Sequence, residues 1–169
     1  MGQRWWLKLL LLDTNVVIAL EQTYPRAIFP SLWNQFAQEL PFGRVFFHEE
    51  VKKELTVWNS PVSRWFQANT PDTCIIHPDE QELDELGQVA DWAENLRHPK
   101  FIDAAVDEFF KVADSWLVAS AKRHRFVIVT NEKPAPQSIA KVKIPDAAAY
   151  FHIPCVDTIG MFQRLGWVF

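Results

Sequence analysis

Residues 7–15 of the chain read Leu-Lys-Leu-Leu-Leu-Leu-Asp-Thr-Asn, an apolar run that ends abruptly in polar residues. A second run, Phe126 to Val129, is rich in β-branched residues and is followed by Thr130, Asn131 and Glu132. Runs of this kind are typical of strands buried on both faces of a parallel sheet. They predict two central strands, Leu7 to Leu12 and Phe126 to Val129.

Weaker strand and helix patterns fill the rest of the chain. Further strands are predicted at Val45 to Phe47, Cys74 to Ile76, Val142 to Ile144 and Cys155-Val156. Helical spacing places Val51, Leu55 and Trp58 on one face, and a later helix carries Phe109 or Phe110, Ala113, Trp116 or Leu117, and Ser120 or Ala121. Because strands and helices alternate, we expect an α/β fold, a three-layer α/β/α domain with a mainly parallel central sheet.

The composition limits the classes of protein to consider. With 169 residues, 49% of them hydrophobic, residues 1–169 are expected to form a single domain. The segment Trp5 to Leu12 is too short to span a bilayer and contains Lys8, so we expect no membrane span, no signal peptide and a cytoplasmic location.

Cys74 and Cys155 lack the spacing that a metal site requires. The net charge of -4 disfavours a broad basic face for nucleic acid, but suits an acidic metal pocket.

The polar endings of the two predicted central strands indicate a pocket. If these strands are parallel neighbours, their carboxyl ends bring Asp13, Thr14 and Asn15 close to Thr130, Asn131 and Glu132. Ligands of open α/β sheets bind at such carboxyl ends. The sequence therefore predicts a polar site at this edge of the sheet.

Two more carboxylates are candidates for the same pocket. Asp114 lies where a helix begins or bends toward the sheet, although a plain helix N-cap is an alternative role. Glu54 borders the apolar face of its predicted helix and can face inward, or it can pair with Lys52 or Lys53 at the surface.

Carboxylates that share one pocket repel one another, so a pocket of this kind is expected to bind a group that offsets the repulsion. At about 4 Å and an effective dielectric constant near 20, each like-charged pair costs roughly 4 kcal/mol. Divalent cations such as Mg²⁺ and Mn²⁺ prefer hard oxygen ligands and keep waters that can act as nucleophiles. The set therefore predicts metal-assisted hydrolysis of a phosphate ester.

The order of the acidic segments resembles that of PIN domains. Leu11-Leu12-Asp13-Thr14-Asn15 is similar to the opening of a PIN domain, and three later segments resemble those that bring the second, third and fourth acidic residues: Val51–Leu55, Ala113–Ala121 and Val127–Glu132. The chain looks closest to the bacterial PIN-like subgroup called DUF4411, through its Trp-rich first third and through Tyr24-Pro25, Phe29-Pro30 and Lys143-Ile144-Pro145-Asp146.

The resemblance implies a ribonuclease that uses Mg²⁺ or Mn²⁺ and a metal-activated water to cleave RNA phosphodiester bonds. Such proteins are frequently the toxin of a toxin–antitoxin pair, so an antitoxin partner is implied. Carried over by position, the catalytic and metal-binding residues would be Asp13, Glu54, Asp114 and Glu132, the last standing where many PIN domains have Asp. Asn15 and Thr130 would have supporting roles. Asp146 is a further supporting candidate, although Pro145 makes a plain turn an equal alternative.

RNA would also have to be held. Lys122, Arg123 and Arg125 form the strongest basic cluster, and Lys141 and Lys143 follow in segments expected near the same end of the sheet. These side chains could contact phosphates, or the first two could simply complete a helix C-terminus. Tryptophans could stack on unpaired bases, or serve as core anchors.

Other classes remain to be weighed. A phosphatase usually has a second Asp where this chain has Asn15, and no serine or cysteine nucleophile motif is recognisable. The open alternative is a PIN-fold module that binds RNA or protein without cutting. The many Phe and Trp residues also suggest a buried surface for an antitoxin or for a second copy of the chain.

Overall fold

The computed structural model of the chain describes residues 9–169, so Leu7 and Lys8 of the first predicted strand lie outside the described residues. Five strands form one sheet: β1 Leu10–Leu12, β2 Val45–His48, β3 Ile75–Ile76, β4 Val127–Val129 and β5 Cys155–Val156. Their order is β3-β2-β1-β4-β5, and every neighbouring pair is parallel. The predicted α/β class with a parallel sheet is confirmed.

Helices connect the strands. Within residues 9–169 they are α1 Thr14–Thr23, α2 Pro30–Glu39, α3 Glu49–Thr56, α4 Pro61–Asn69, α5 Glu80–Asp91, α6 Asp103–Lys111, α7 Asp114–His124, α8 Ile144–Tyr150 and α9 Thr158–Leu165. A π-helical turn, Trp92–Leu96, extends α5, and 3-10 turns lie at Leu40–Phe42 and Asp72–Cys74. None of these described helices has both the length and the apolar character that crossing a membrane requires.

The helices form two layers around the sheet. One group comprises α1, α3 and α4, which contact one another, and the other has α7 in contact with α5, α6 and α8. The chain moves from β1 to β2 and β3 in one direction, then returns to β4 on the other side of β1. Because parallel crossovers are right-handed, connections running in opposite directions place their helices on opposite faces. This produces the three-layer α/β/α arrangement.

The strand order reverses between β1 and β4, and this point of the sheet is where a ligand site is expected. All three β1 residues and Ile128 of β4 are fully buried, as expected of central strands covered on both faces. Leu12 pairs with Val129, so Asp13 and Thr130 emerge side by side where the chain changes direction. In open α/β sheets, ligands bind in the crevice at such a switch point.

One predicted strand is wrong. Val142 lies in an irregular segment, and Ile144 is the first residue of α8 rather than the end of a strand. Pro145 explains the difference, because proline is well suited to the first turn of a helix. Val142 and Ile144 are nevertheless buried, so their apolar character reflects packing.

Two predicted helices also differ from the structure. The spacing from Phe109 to Ala121 does not belong to one helix, because α6 ends at Lys111 and α7 begins at Asp114. Trp58 does not share a buried face with Val51 and Leu55, because α3 ends at Thr56 and Trp58 is 77% exposed.

Candidate active site

A cleft of about 560 Å³ lies where the structure brings the carboxyl end of β1 next to α3, α6 and the start of α7. Three of the four predicted catalytic carboxylates, Asp13, Glu54 and Asp114, line it together with Lys141. The remaining lining residues are Thr14, Asn15, Ile18, Ala104, Ala105, Glu108, Phe109, Val112, Ala140 and Val142. The cleft thus combines an acidic floor with an apolar wall.

Asp13 is fixed in the floor by its neighbours. Its backbone N–H donates to the Val129 carbonyl at 3.0 Å, which continues the β1–β4 pairing. Thr130 donates its hydroxyl to Oδ2 at 2.8 Å, and the Asn15 backbone N–H donates to Oδ1 at 3.4 Å. Burial raises the pKa of Asp13 to about 6, with further contributions from the negative charges of Glu132 and Glu54, and the hydrogen bond from Thr130 opposes the rise.

Asp114 opens α7 without capping it. The N-cap position is Ala113, which makes no side-chain cap, so the alternative N-cap role for Asp114 is wrong. Burial raises the pKa of Asp114 to about 7, and the negative charges of Asp13, Glu132 and Glu54 add to the rise, against the cation of Lys141. Asp13 and Asp114 therefore form a mutually repelling pair in one partly dry cleft.

Glu54 faces inward, and both of its carboxylate oxygens are occupied. Oε1 accepts a hydrogen bond from the Ala113 backbone N–H at 2.9 Å, and Oε2 accepts one from the Thr14 hydroxyl. The surface alternative is wrong, because Lys52 and Lys53 pair with other carboxylates. Glu54 thus ties α3 to the start of α1 and to the α6–α7 junction.

Glu132 is not among the residues that line the cleft. Its Oε2 accepts from the Ile144 backbone N–H at 2.8 Å, while Oε1 lies 3.3 Å from Lys141 Nζ and 3.7 Å from Lys143 Nζ. Its negative charge still raises the pKa values of Asp13 and Asp114. Glu132 therefore affects the cleft in two ways: its negative charge raises the pKa values of the two aspartates, and its carboxylate positions the two lysines.

The supporting residues divide into two groups. Thr130 holds Asp13, and Asn15 lines the cleft with a buried Oδ1 that has no hydrogen-bond partner in the described chain. Asn131, in contrast, accepts hydrogen bonds from the backbone and hydroxyl of Thr158. Asp146 is not among the lining residues, because its carboxylate accepts from the Ala135 backbone N–H at 2.9 Å and 3.2 Å. Asp146 lies in the first turn of α8, so the plain turn predicted as its alternative is wrong as well, and its carboxylate instead holds the backbone at Ala135.

The predicted basic residues do not share one end of the sheet. Lys141 lines the cleft and Lys143 lies beside the same Glu132, whereas Lys122 and Arg123 occupy the last turn of α7. At 1.5 Å per residue, Lys122 is about 12 Å along the helix from Asp114. Lys122 pairs with Glu85, Arg123 with Asp79 at 3.1 Å, and Arg125 follows as the helix C-cap. The expectation that all five lie near one end is wrong.

Glu108 is a cleft residue that the sequence does not single out. It is an exposed residue of α6, and it lines the cleft one helical turn after Ala104 and Ala105. In the sequence it resembles the neighbouring acidic residues Asp103 and Asp107, which do not line this cleft. Only the packing of α6 beside α7 distinguishes it.

Within residues 9–169 no group of three or more His, Cys, Asp or Glu side chains is arranged to hold a metal ion by itself. The hydrogen bonds to Glu54 and Glu132 explain this, because they direct those two carboxylates to protein donors. Asp13, Asp114, Glu108 and the Asn15 amide oxygen remain as hard oxygen groups of the cleft.

The comparisons with known proteins give one family. No curated protein matches the chain, and no solved structure matches it. The match to the family described as "Domain of unknown function (DUF4411)" covers residues 10–169, which includes every strand of the sheet and every cleft residue. The chain therefore belongs to the DUF4411 family.

Proposed function

We propose that the protein is a metal-dependent ribonuclease of the PIN-domain type. One observation carries the proposal: Asp13 and Asp114 line the same cleft at the sheet's switch point, and both have strongly raised pKa values. Such mutual repulsion destabilises the fold unless a cation offsets it, and perturbed carboxylates in a cleft are typical of functional sites. The order of the acidic segments along the chain, which resembles that of PIN domains, points to RNA cleavage.

The oxygen groups of the cleft fit Mg²⁺ or Mn²⁺. Mg²⁺ is commonly bound through one or two carboxylates, with waters and substrate phosphates completing its shell, so a cage of three protein ligands is not required. Asp13 and Asp114 would hold the ion, and the unpartnered Asn15 Oδ1 would accept from one of its waters. When bound, the ion would neutralise the carboxylates, orient the phosphate and supply an activated water for hydrolysis.

The chain's own residues have separable tasks in this proposal. Thr130 fixes the orientation of the Asp13 carboxylate by donating its hydroxyl. Glu54 holds the Thr14 hydroxyl and the start of α7, and so sets the distance between the two ends of the cleft. Lys141, held by Glu132, offers an ammonium group to the substrate phosphate.

The experiment is cleavage of RNA by the purified protein with Mg²⁺ or Mn²⁺, beside an EDTA control. Asp13→Asn and Asp114→Asn keep the size of the side chain and should abolish cleavage. Asp107→Asn is the matched control, since Asp107 is an exposed residue of α6 that does not line the cleft. Calorimetric titration with Mg²⁺ should show binding that both cleft variants lose and the control keeps. RNA left intact in both metals by folded protein contradicts the proposal.

A toxin role belongs to the same proposal and has its own test. Large apolar side chains are exposed on the described surface and would suit an antitoxin partner; they include Ile28, Phe42, Trp58, Val168 and Phe169. Expression of the wild-type chain should arrest bacterial growth, and Asp114→Asn should relieve the arrest. Growth that is unaffected by the wild-type chain would remove the toxin role and leave the nuclease proposal standing.

A second candidate function is favoured by a specific observation. Glu54 and Glu132 are already engaged by protein donors, as expected of a PIN-fold module that binds RNA or protein without cutting. RNA binding that persists in EDTA and in Asp114→Asn, without cleavage in any metal, would identify such a module.

A further inference from the structure

A second cavity lies at the amino ends of β4 and β5, at the end of the sheet opposite the acidic cleft. Its volume of about 660 Å³ is in the range of pockets that bind small molecules. The lining residues come from the end of α7, the start of β4 and the segment between α8 and β5: Ala121, Lys122, Arg125, Phe126, Val127, Phe151, His152, Ile153 and Pro154. None of them lines the acidic cleft, so the two sites are separate.

Much of the wall of this second cavity is apolar and firmly packed. The Phe126 ring stacks on the Phe46 ring, with centroids 5.1 Å apart. The Phe151 ring packs edge-on against the Tyr150 ring at 4.9 Å, and Ile153 is buried. Because these side chains are already held by the fold, a ligand would not have to order them, which favours binding. The wall therefore fits a ligand with an apolar body.

Three lining side chains of the second cavity are basic: Lys122, Arg125 and His152. Lys122 is already paired with Glu85. The exposed side chains of Arg125 and His152, in contrast, make no hydrogen bond or ion pair with any group in residues 9–169. Among the lining residues of the described chain none is acidic, although the net charge of the whole chain is -4. Unpaired basic groups are thus concentrated at one cavity of an acidic protein.

Arg125 and His152 also share an uncommon backbone conformation. They are the two residues other than glycine that have a positive φ in the described chain, 59° and 57°. Each follows the end of a helix, where glycine or asparagine is usual because a larger side chain crowds the backbone. Basic side chains therefore stand at two places where glycine would relieve strain. Strain that is retained in this way is typical of functional sites.

We propose that this cavity binds a small organic carboxylate, with its carboxylate on Arg125 and His152 and its apolar body against the phenylalanine wall. A guanidinium group can donate two parallel hydrogen bonds to a planar carboxylate, and an imidazole N–H can donate another. Phosphate groups are commonly bound at helix N-termini, whereas α7 contributes its C-terminal end here, so a single negative charge is favoured over a double one. The inference is independent of the proposed ribonuclease function.

Calorimetric titration with naphthoate tests the proposal, and naphthalenemethanol is the neutral analogue of similar shape. Wild type should bind naphthoate at least about tenfold more tightly than the neutral analogue, which is the effect of one charge-assisted hydrogen bond. Heteronuclear NMR should locate the ligand. The amide resonances of residues 121–127 and 151–153 should shift on binding, and those of Asp13 and Asp114 in the acidic cleft should not.

Arg125→Gly separates binding from folding. Glycine adopts a positive φ freely, so this variant should melt no lower than wild type while its affinity for naphthoate falls at least about tenfold. Arg125→Gln, which keeps a side chain at the position, should show the same loss of affinity. Arg64→Gln is the matched control: it removes an exposed guanidinium group of α4 that does not line the cavity, and it should bind naphthoate as wild type does.

Several outcomes would overturn the carboxylate site. Equal affinity of wild type for naphthoate and for its neutral analogue would do so, as would unchanged affinity in Arg125→Gln. Tighter binding of naphthyl phosphate than of naphthoate would contradict the preference for a single charge. Amide shifts confined to other parts of the chain would place the ligand elsewhere and would likewise overturn the assignment.

Discussion

At the scale of single residues, the two aspartates of the cleft differ in how the protein holds them. Asp13 accepts hydrogen bonds from Thr130 and from the Asn15 backbone, and the pKa of its carboxyl is about 6. Asp114 receives no hydrogen bond from any group in residues 9–169, and its pKa is raised further, to about 7. Of the two aspartates, Asp114 is therefore the one whose negative charge the fold tolerates less.

Replacing Asp114 should make the metal-free protein more stable. Its folded pKa of about 7 lies above the ordinary 3.8, so the folded state retains a proton that the unfolded state loses as pH rises. The free energy of unfolding therefore falls as pH rises from about 4 to 7. At pH 8 Asp114→Asn should gain on the order of 2 kcal/mol, which is roughly 4–8 °C in Tm.

Thermal unfolding in EDTA at pH 8 and at pH 4 checks this prediction. At pH 4 the difference between the variant and wild type should nearly vanish, because Asp114 is then protonated in the folded protein. A variant that melts below wild type at pH 8 would show that the Asp114 charge is compensated within the protein.

Divalent cations should compete with protons for the two aspartates of the cleft, because either one offsets their negative charge. Mg²⁺ or Mn²⁺ should raise the Tm of wild type at pH 8 and have a much smaller effect at pH 5, because protons compete for Asp13 and Asp114. Asp114→Asn should respond weakly at both pH values. Equal stabilisation of wild type and variant would place the cation elsewhere on the protein.

At the scale of elements, the hydrogen bonds of Glu54 connect α3 with the start of α1 and with the α6–α7 junction. Glu54→Ala should lower the free energy of unfolding by about 1–3 kcal/mol, because it leaves the Ala113 N–H without its acceptor. Glu54→Gln retains an acceptor oxygen and should lose less. Urea denaturation measures both, and equal losses in the two variants would contradict the role of this hydrogen bond.

The segment 133–143, which carries Lys141 to the cleft, depends on Arg97 from a distant part of the chain. The Arg97 guanidinium lies 3.7 Å from the Phe101 ring centroid and donates to the carbonyls of Pro136 at 2.8 Å and Ser138 at 2.5 Å. Two further contacts hold the segment: Ile102 N–H to the Ile139 carbonyl at 3.1 Å, and Asp146 to the Ala135 N–H.

Arg97→Lys should loosen this segment, because one ammonium group cannot donate at the same time to the Pro99 carbonyl, which Nη1 reaches, and to the Pro136 and Ser138 carbonyls, which Nη2 reaches. We expect faster amide exchange across residues 133–143 and a lower kcat/KM, with little change in exchange for β1 and β4. Hydrogen-exchange mass spectrometry provides the measurement. Unchanged protection of the segment would mean that its other contacts suffice.

The sequence predicts the elements whose signals are local and misses those that distant contacts decide. The long apolar run locates β1, and the polar residues after it locate Asp13 and Asn15 at the switch point. The sequence predicts that a helix begins or bends at Asp114, but it does not predict that α6 ends at Lys111, because the group that satisfies the Ala113 N–H is Glu54, 59 positions away. The hydrogen bonds that engage Glu132 likewise come from α8 and the lysines.

At the scale of the whole molecule, the site depends on the pairing of β1 with β4. The hydrogen bond between Thr130 and Asp13 joins residues 117 positions apart, and the sheet's central pair cannot form without both segments. Contacts so distant in sequence form slowly, because closing the intervening loop costs entropy before the pairing stabilises it.

A chain ending after residue 125 should therefore fail to fold. It lacks β4, β5, α8 and α9, so one edge of fully buried β1 would lose its partner. We expect no cooperative thermal transition by circular dichroism. A chain lacking only Val168 and Phe169, both exposed, should keep the transition. A cooperative transition in the shorter chain would contradict this dependence.

The same pairing has a consequence for synthesis of the protein. A nascent chain emerges from the ribosome with Asp13 early, but Thr130, which holds it, only after most of the sequence has been translated. Until then Asp13 lacks the hydrogen bond that orients its carboxylate, and the cleft is not assembled. Under the proposed ribonuclease function, a ribosome can thus complete the message for this protein before the product is able to act on any RNA nearby.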